Sequence, residues 1–311
     1  MEKAREHCIL LVPPGCGPLG PPLFGLHLVE RTVLAFLRAG VRHFVLTGAS
    51  EAVGEVARLL AAGRCREARL RVLAPHESLV PLLERDEACF VARSDYLYDR
   101  RLVFRFVEET RGAASTVAAV DYRAEALASQ DGASRTADWT VGGEAGPGGS
   151  LRAAGRGLLA PVGVLTGLAR GTSSFARAFE DAPLRCRSIE NALTLLARRE
   201  PVQTLAVAEL WQAVRPEPGA READLSIARR KVLGGAVGVA DGLVARHLNR
   251  PLSRRITERL LSRNVKPWQV SLASFAAILG AGLSFAVGHA TTGGLVAQFA
   301  SVLDGVDGEV A

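Results

Sequence analysis

The chain has 311 residues, 48% of them hydrophobic and 23% charged, and its net charge is +6. That length suits about two domains, and an aromatic content of 5% excludes a base-stacking nucleic-acid platform. Five cysteines with no C-x-x-C pair exclude a zinc site or a disulfide framework and fit free thiols in a reducing compartment.

The first stretch, "MEKAREHCILLVPPG", has a short apolar run followed by prolines, which is not a signal peptide. "CILLV" (8–12) reads as a buried strand. "LHLVERTVLAFLRAG" (26–40) reads as an amphipathic helix with Leu28, Val33, Leu34 and Leu37 near one face and Gly40 at its end. A strand at 42–48 and a helix at 51–63 repeat the order, and 70–74, 88–95 and 116–122 are further strand candidates. This alternation predicts an α/β domain with a mostly parallel, Rossmann-like sheet and helices on both faces. The Gly-, Ser- and Ala-rich stretch 129–157 reads as hairpins or a loop, 174–199 as helical, and 217–235 as a helix leaving the domain.

Charge then changes character. Arg246, Arg250, Arg254, Arg255, Arg259, Arg263 and Lys266 face one acid, Glu258, between 246 and 266. In "PLSRRITERLLSRN" (251–264), Leu252, Ile256 and Leu260 recur every four residues, as in an amphipathic helix lying in a membrane interface. A solvated helix packed on the first domain is the alternative. Residues 270–290 then run without a formal charge, and roughly 20 residues suffice to cross a bilayer core. "GGLVAQFASVL" (293–303) begins a second apolar helix. The expected organisation is an α/β domain at 1–230, a basic juxtamembrane linker at 231–267 and the first helices of an all-α membrane domain at 268–311. The basic flank places the first domain on the cytoplasmic side of a multi-pass inner or cytoplasmic membrane protein. Trp268 fits an interfacial anchor, and Asn249 and Arg250 face either a phosphate ligand or the headgroups.

Asp304 and Asp307 follow that second apolar helix, and a three-residue spacing puts both carboxylates on one helix face. Two oxygen-donor groups there suit Mg²⁺, Mn²⁺ or Ca²⁺, or else form a polar helix end among headgroups. Gly308 leaves room for close approach of a ligand.

"DGVDGEVA" (304–311) resembles the opening of the CDP-alcohol phosphotransferase signature, D-x-x-D-G-x-x-A-R followed by G-x-x-x-D-x-x-x-D, with Asp304, Asp307, Gly308 and Ala311 on its first fixed positions. "DGLVARHLNRPLSRRITERLLSRNVKPWQVSLASF" (241–275) is similar to the linker of the bifunctional inositol-1-phosphate cytidylyltransferase / di-inositol-phosphate-phosphate synthase family. The resemblance implies a membrane enzyme that moves a phospho-alcohol group from a CDP-alcohol to an acceptor hydroxyl and releases CMP. It implies Mg²⁺ or Mn²⁺ at Asp304 and Asp307, Gly308 and Ala311 beside the substrate, and a homodimer in a lipid bilayer. The general base of the family would fall beyond residue 311.

Residues 22–48 and "ARSDYLYD" (92–99) resemble the nucleoside-triphosphate transferase fold, which implies a metal aspartate at Asp95; the alternative is an aspartate capping a turn. The nucleotide loop departs from that family. "VPPGCGPLGPPLFG" (12–25) brings five prolines, which lack amide donors, and residues 6–30 hold no Lys or Arg. Where a second metal aspartate is expected, "LWQAVRPE" has Ala213 and Arg215. The readings are therefore a phosphotransferase whose first domain is degenerate, a bifunctional enzyme that also makes its CDP-alcohol from CTP, and a non-catalytic membrane-tethered module binding sugar phosphates or nucleotides.

Overall fold

The computed structural model describes residues 6–13, 22–48, 50–74, 77–83, 89–123, 140–143, 149–155, 161–182, 187–214, 218–235, 249, 252–253, 256 and 267–310. The chain divides into two compact units. One comprises Met1–Pro22 and Leu26–Leu225, and the other Leu23–Gly25 and Ser226–Ala311.

The first unit begins with β1 (His7–Val12), α1 (Leu28–Arg38), β2 (His43–Gly48), α2 (Ser50–Ala62), β3 (Arg69–Val72), α3 (Val80–Leu83), β4 (Cys89–Arg93), β5 (Tyr96–Tyr98) and α4 (Arg100–Thr110). It continues with β6 (Val117–Asp121), β7 (Thr140–Gly143), β8 (Ser150–Gly155), β9 (Gly163–Gly171), α5 (Ser173–Asp181), α6 (Ile189–Ala197), β10 (Val202–Ala206) and β11 (Trp211–Ala213). Nine strands form one sheet in the order β3-β2-β1-β4-β9-β6-β10-β8-β7, and β11 pairs with β5 apart from it. The pairs β1–β2, β2–β3, β1–β4 and β6–β10 are parallel. Strand β9 lies antiparallel between β4 and β6. The α/β expectation holds, and the carboxyl ends of β1, β2, β4, β6 and β10 share one sheet edge, where ligands bind in open sheets of this kind.

Side chains alternate across a strand, and β1 feeds two cores. Cys8, Leu10 and Val12 join Val33, Phe36, Val56 and Phe106 from α1, α2 and α4. Ile9 and Leu11 join Phe175, Phe179 and Leu193 from α5 and α6 on the other face. Helix α1 ends as its sequence requires: Ala39 is the C-cap and Gly40 follows with φ +93°. The helical stretch expected over 174–199 is two helices, α5 and α6, with Pro183 between them in sequence. The expected hairpin in 129–157 is β7–β8.

The second unit holds α8 (Pro267–Ala286) and α9 (Ala290–Val310), with α7 (Pro218–Gly235) running across the division between units. After α8 the chain turns in a Schellman arrangement: the His289 N–H reaches the Ser284 carbonyl and the Gly288 N–H the Phe285 carbonyl, with Gly288 at φ +83°. Helix α9 then packs along α8. A Cβ on Gly293 would lie 2.9 Å from the Phe285 ring, so glycine sets that close approach. Among the described residues one helix, Trp268–Ala286, is long and apolar enough to cross a membrane. The expectation of two such helices is met by one, because Thr291, Thr292, Gln298 and the acids near the end of α9 lower its hydropathy. Most of the amphipathic segment 251–264 lies outside the described residues.

Gly48 closes β2 at the ligand edge with φ +144°, and a Cβ there would meet the Val12 carbonyl oxygen at 2.1 Å. Gly48→Ala is expected to destabilise the α/β unit by about 1–3 kcal/mol, read as a lower urea midpoint by tryptophan fluorescence.

Candidate functional site at the carboxyl edge of the sheet

Strand β4 runs into a tight turn at Ser94 and Asp95, where the Ser94 N–H donates to the Leu11 carbonyl of β1. Strand β5 then pairs with β11, matching Trp211 with Tyr98 and Ala213 with Tyr96. This path sets Arg93, the last residue of β4, against three partners. Its Nε donates to Asp95 Oδ1 at 2.9 Å and its Nη2 to Asp95 Oδ2 at 2.7 Å, a bidentate pair. Its Nη1 donates to Glu190 Oε1 at 3.1 Å. Its guanidinium also lies 5.0 Å from the centre of the Tyr96 ring.

Glu190 reaches the site from α6. Ser188 caps that helix by accepting from the Asn191 N–H, which puts Glu190 in the first turn, where a carboxylate is favoured. The Glu190 side chain is fully buried, and among the described residues its Oε2 has no hydrogen-bond partner. Burial alone would depress the Arg93 guanidinium, but Glu190 and Asp95 outweigh it and hold it well above its ordinary value. Gly167 in β9, at φ +69°, leaves the space. A Cβ there would come within 3.2 Å of Arg93 Cδ and of the Tyr98 hydroxyl. Tyr98 donates to the Gly167 carbonyl at 2.8 Å and accepts from the Arg93 N–H.

A second carboxylate sits at the end of β6. Arg123 grips Asp121 through Nε at 2.9 Å and Nη2 at 2.6 Å, and Trp211 Nε1 donates to Asp121 Oδ2 at 2.8 Å. Burial pushes the Asp121 carboxyl up, but the bonds from Arg123 and Trp211 prevail and hold it below the usual carboxylate range. Tyr96 stacks on Trp211 with the rings 10° apart, so the two charged clusters share one aromatic wall.

Asp95, expected as a metal ligand, thus lies at the ligand edge with both oxygens on a guanidinium. Among the described residues no group of three or more His, Cys, Asp or Glu side chains could hold a metal ion. Most of the proline-rich loop 12–25 lies outside the described residues, as does Arg215.

In the other unit Asp304 is exposed on α9. Asp307 and Gly308 belong to the same helix, but the Asp307 side chain and all of Ala311 lie outside the described residues. A polar stripe precedes Asp304 at three-residue steps. Gln298 Nε2 donates to Asn249 Oδ1 at 2.5 Å, and Asn249 Nδ2 donates to Ser301 Oγ at 3.1 Å.

The solved structures similar to this chain show its fold. A UDP-glucose pyrophosphorylase from Acinetobacter baumannii superposes with a TM-score of 0.54 at 10% identity, over 83% of this chain and 99% of its own. A UDP-glucose pyrophosphorylase complexed with UDP-glucose gives 0.52 at 11% identity, over 72% and 99%. The α/β unit therefore has a nucleotidyltransferase-like fold. Among curated proteins, the Bifunctional IPC transferase and DIPP synthase of Rubrobacter xylanophilus is 54% identical over 89 residues, 28% of this chain and 20% of that protein. The protein of the same name from Archaeoglobus fulgidus is 37% identical over 114 residues, 36% of this chain and 22% of that protein. The chain spans about a fifth of the length of these relatives. No family model matches it.

Arg93→Met removes the counter-ion of two buried carboxylates and is expected to cost about 3–5 kcal/mol, read as a lower midpoint by circular dichroism. Asp121 has a depressed folded-state pKa, so its contribution is complete above the ordinary carboxylate pKa and fades as pH falls through the folded value. Asp121→Asn is expected to flatten the loss of stability below about pH 4, measured by urea titrations across the acid range.

Proposed function

We propose that this chain is part of a membrane-anchored transferase that moves a phospho-alcohol group from a CDP-alcohol to an acceptor hydroxyl with release of CMP. The carrying observation is the sequence D-x-x-D-G at 304–308, which continues the polar face of α9 begun by Gln298 and Ser301 at the end of an apolar hairpin. The relatives named Bifunctional IPC transferase and DIPP synthase support the same class. On this reading Asp304 and Asp307 hold Mg²⁺ or Mn²⁺, and Gly308 and Ala311 lie beside the donor. The ion, when bound, neutralises charge on the leaving diphosphate. Helix α8 crosses the bilayer, which accounts for its outward Leu272, Phe275, Leu279 and Leu283, each more than half exposed.

The relatives' name favours a second reading, in which one protein also makes the donor from CTP and an alcohol phosphate. Pyrophosphate release from CTP separates the two.

Membranes carrying the full-length protein are expected to release CMP in Mg²⁺ from one of CDP-inositol, CDP-glycerol or CDP-diacylglycerol with an acceptor alcohol. Asp307→Ala should lower that rate by about 100-fold or more, since loss of even an outer partner of a metal costs roughly 10–100-fold. A folded protein that releases no CMP from any donor contradicts the proposal.

A further inference from the structure

The sheet edge of the α/β unit is where a nucleotidyltransferase-like fold would bring a triphosphate and its divalent cation, and the residues there do not fit one. Both oxygens of Asp95 accept from Arg93, and Glu190 shares the same guanidinium from the far side. The second acid at this edge, Asp121, is bonded by Arg123 and Trp211. Asp95 and Trp211 are each less than a tenth exposed. A cation entering here would have to expel a bidentate guanidinium from a buried pair. The displaced Arg93 guanidinium would then be left at that depth without either of its counter-ions, which is strongly destabilising.

We infer that Arg93 permanently occupies the place of the divalent cation in the α/β unit, so that this unit transfers no nucleotide. This extends the proposed function and rests on it for one consequence. If the chain consumes a CDP-alcohol, a separate nucleotidyltransferase must supply it. That reaction joins an alcohol phosphate oxygen to the α-phosphorus of CTP and breaks the α–β anhydride, releasing pyrophosphate. The electrostatics agree. Arg93, Asp95 and Glu190 sum to one negative charge if both acids are ionised, and residues 6–30 add no Lys or Arg to offset a triphosphate.

The test counts Mn²⁺ bound to the purified full-length protein by electron paramagnetic resonance, and assays pyrophosphate release from CTP with a panel of alcohol phosphates. Wild type and Asp95→Asn are expected to bind the same number of ions, and wild type to release no pyrophosphate above a protein-free control. Arg93→Gln, where circular dichroism shows it folded, is expected to bind one ion more, held by the freed Asp95 and Glu190. An ion lost in Asp95→Asn, pyrophosphate release dependent on the alcohol phosphate, or a folded Arg93→Gln with no added ion would each overturn the inference. Should Arg93→Gln not fold, the comparison of wild type with Asp95→Asn decides. The CMP assay with a preformed CDP-alcohol judges the proposed function separately, because absent CMP release leaves the ion count unchanged.

Discussion

One guanidinium shared by two carboxylates organises the ligand edge of the α/β unit. Arg93 ends β4, Asp95 turns the chain toward β5, and Glu190 arrives from the first turn of α6. Neither acid is tolerable at this depth alone, and the arginine is held there by both. Around it the structure makes allowances: glycine at 167 to clear its stem, Tyr98 to tie β9 to β4, and Tyr96 to carry the wall across to Trp211. The fold at this point serves an internal ion pair, and among the described residues of this nucleotidyltransferase-like fold no group of acidic side chains is open to a cation.

The two units divide the chemistry. In the α/β unit the buried carboxylates of Asp95, Glu190 and Asp121 are paired with arginines of the same unit. In the helical unit Asp304 is exposed, and the polar contacts of Asn249, Gln298 and Ser301 lead toward it. On the proposed reading an exposed carboxylate is open to a metal, whereas one in a bidentate arginine pair is not.

Much of this was legible in the sequence where the signal was local. The apolar run of β1 and the charge-free stretch of α8 follow from side-chain periodicity and transfer free energy, whereas the core face of α1 is carried by Val29, Val33 and Phe36, with Leu28, Leu34 and Leu37 only partly buried. Strand β9 is harder to see: "GVLTGLARG" has three glycines and sits antiparallel in an otherwise parallel neighbourhood, so neither propensity nor alternation marks it. Asp95 stood out as a candidate, but its partner's meaning did not. Arg93 is two residues away, yet Glu190, which completes the trio, is 97 residues further along the chain. Trp211 and Asp121 are 90 apart and meet where the chain leaves β10 beside the end of β6. No spacing rule reaches that far. Two sequence features pointed the same way: the nucleotide loop without Lys or Arg, and Ala213 and Arg215 where a second metal aspartate was expected.

The most direct test is an anomalous diffraction map of the full-length protein crystallised with Mn²⁺ and a CDP-alcohol. The account predicts a manganese peak beside Asp304 and Asp307 and none at Asp95, with Arg93 still seated between Asp95 and Glu190. A peak on Asp95 with the Arg93 guanidinium displaced would contradict it.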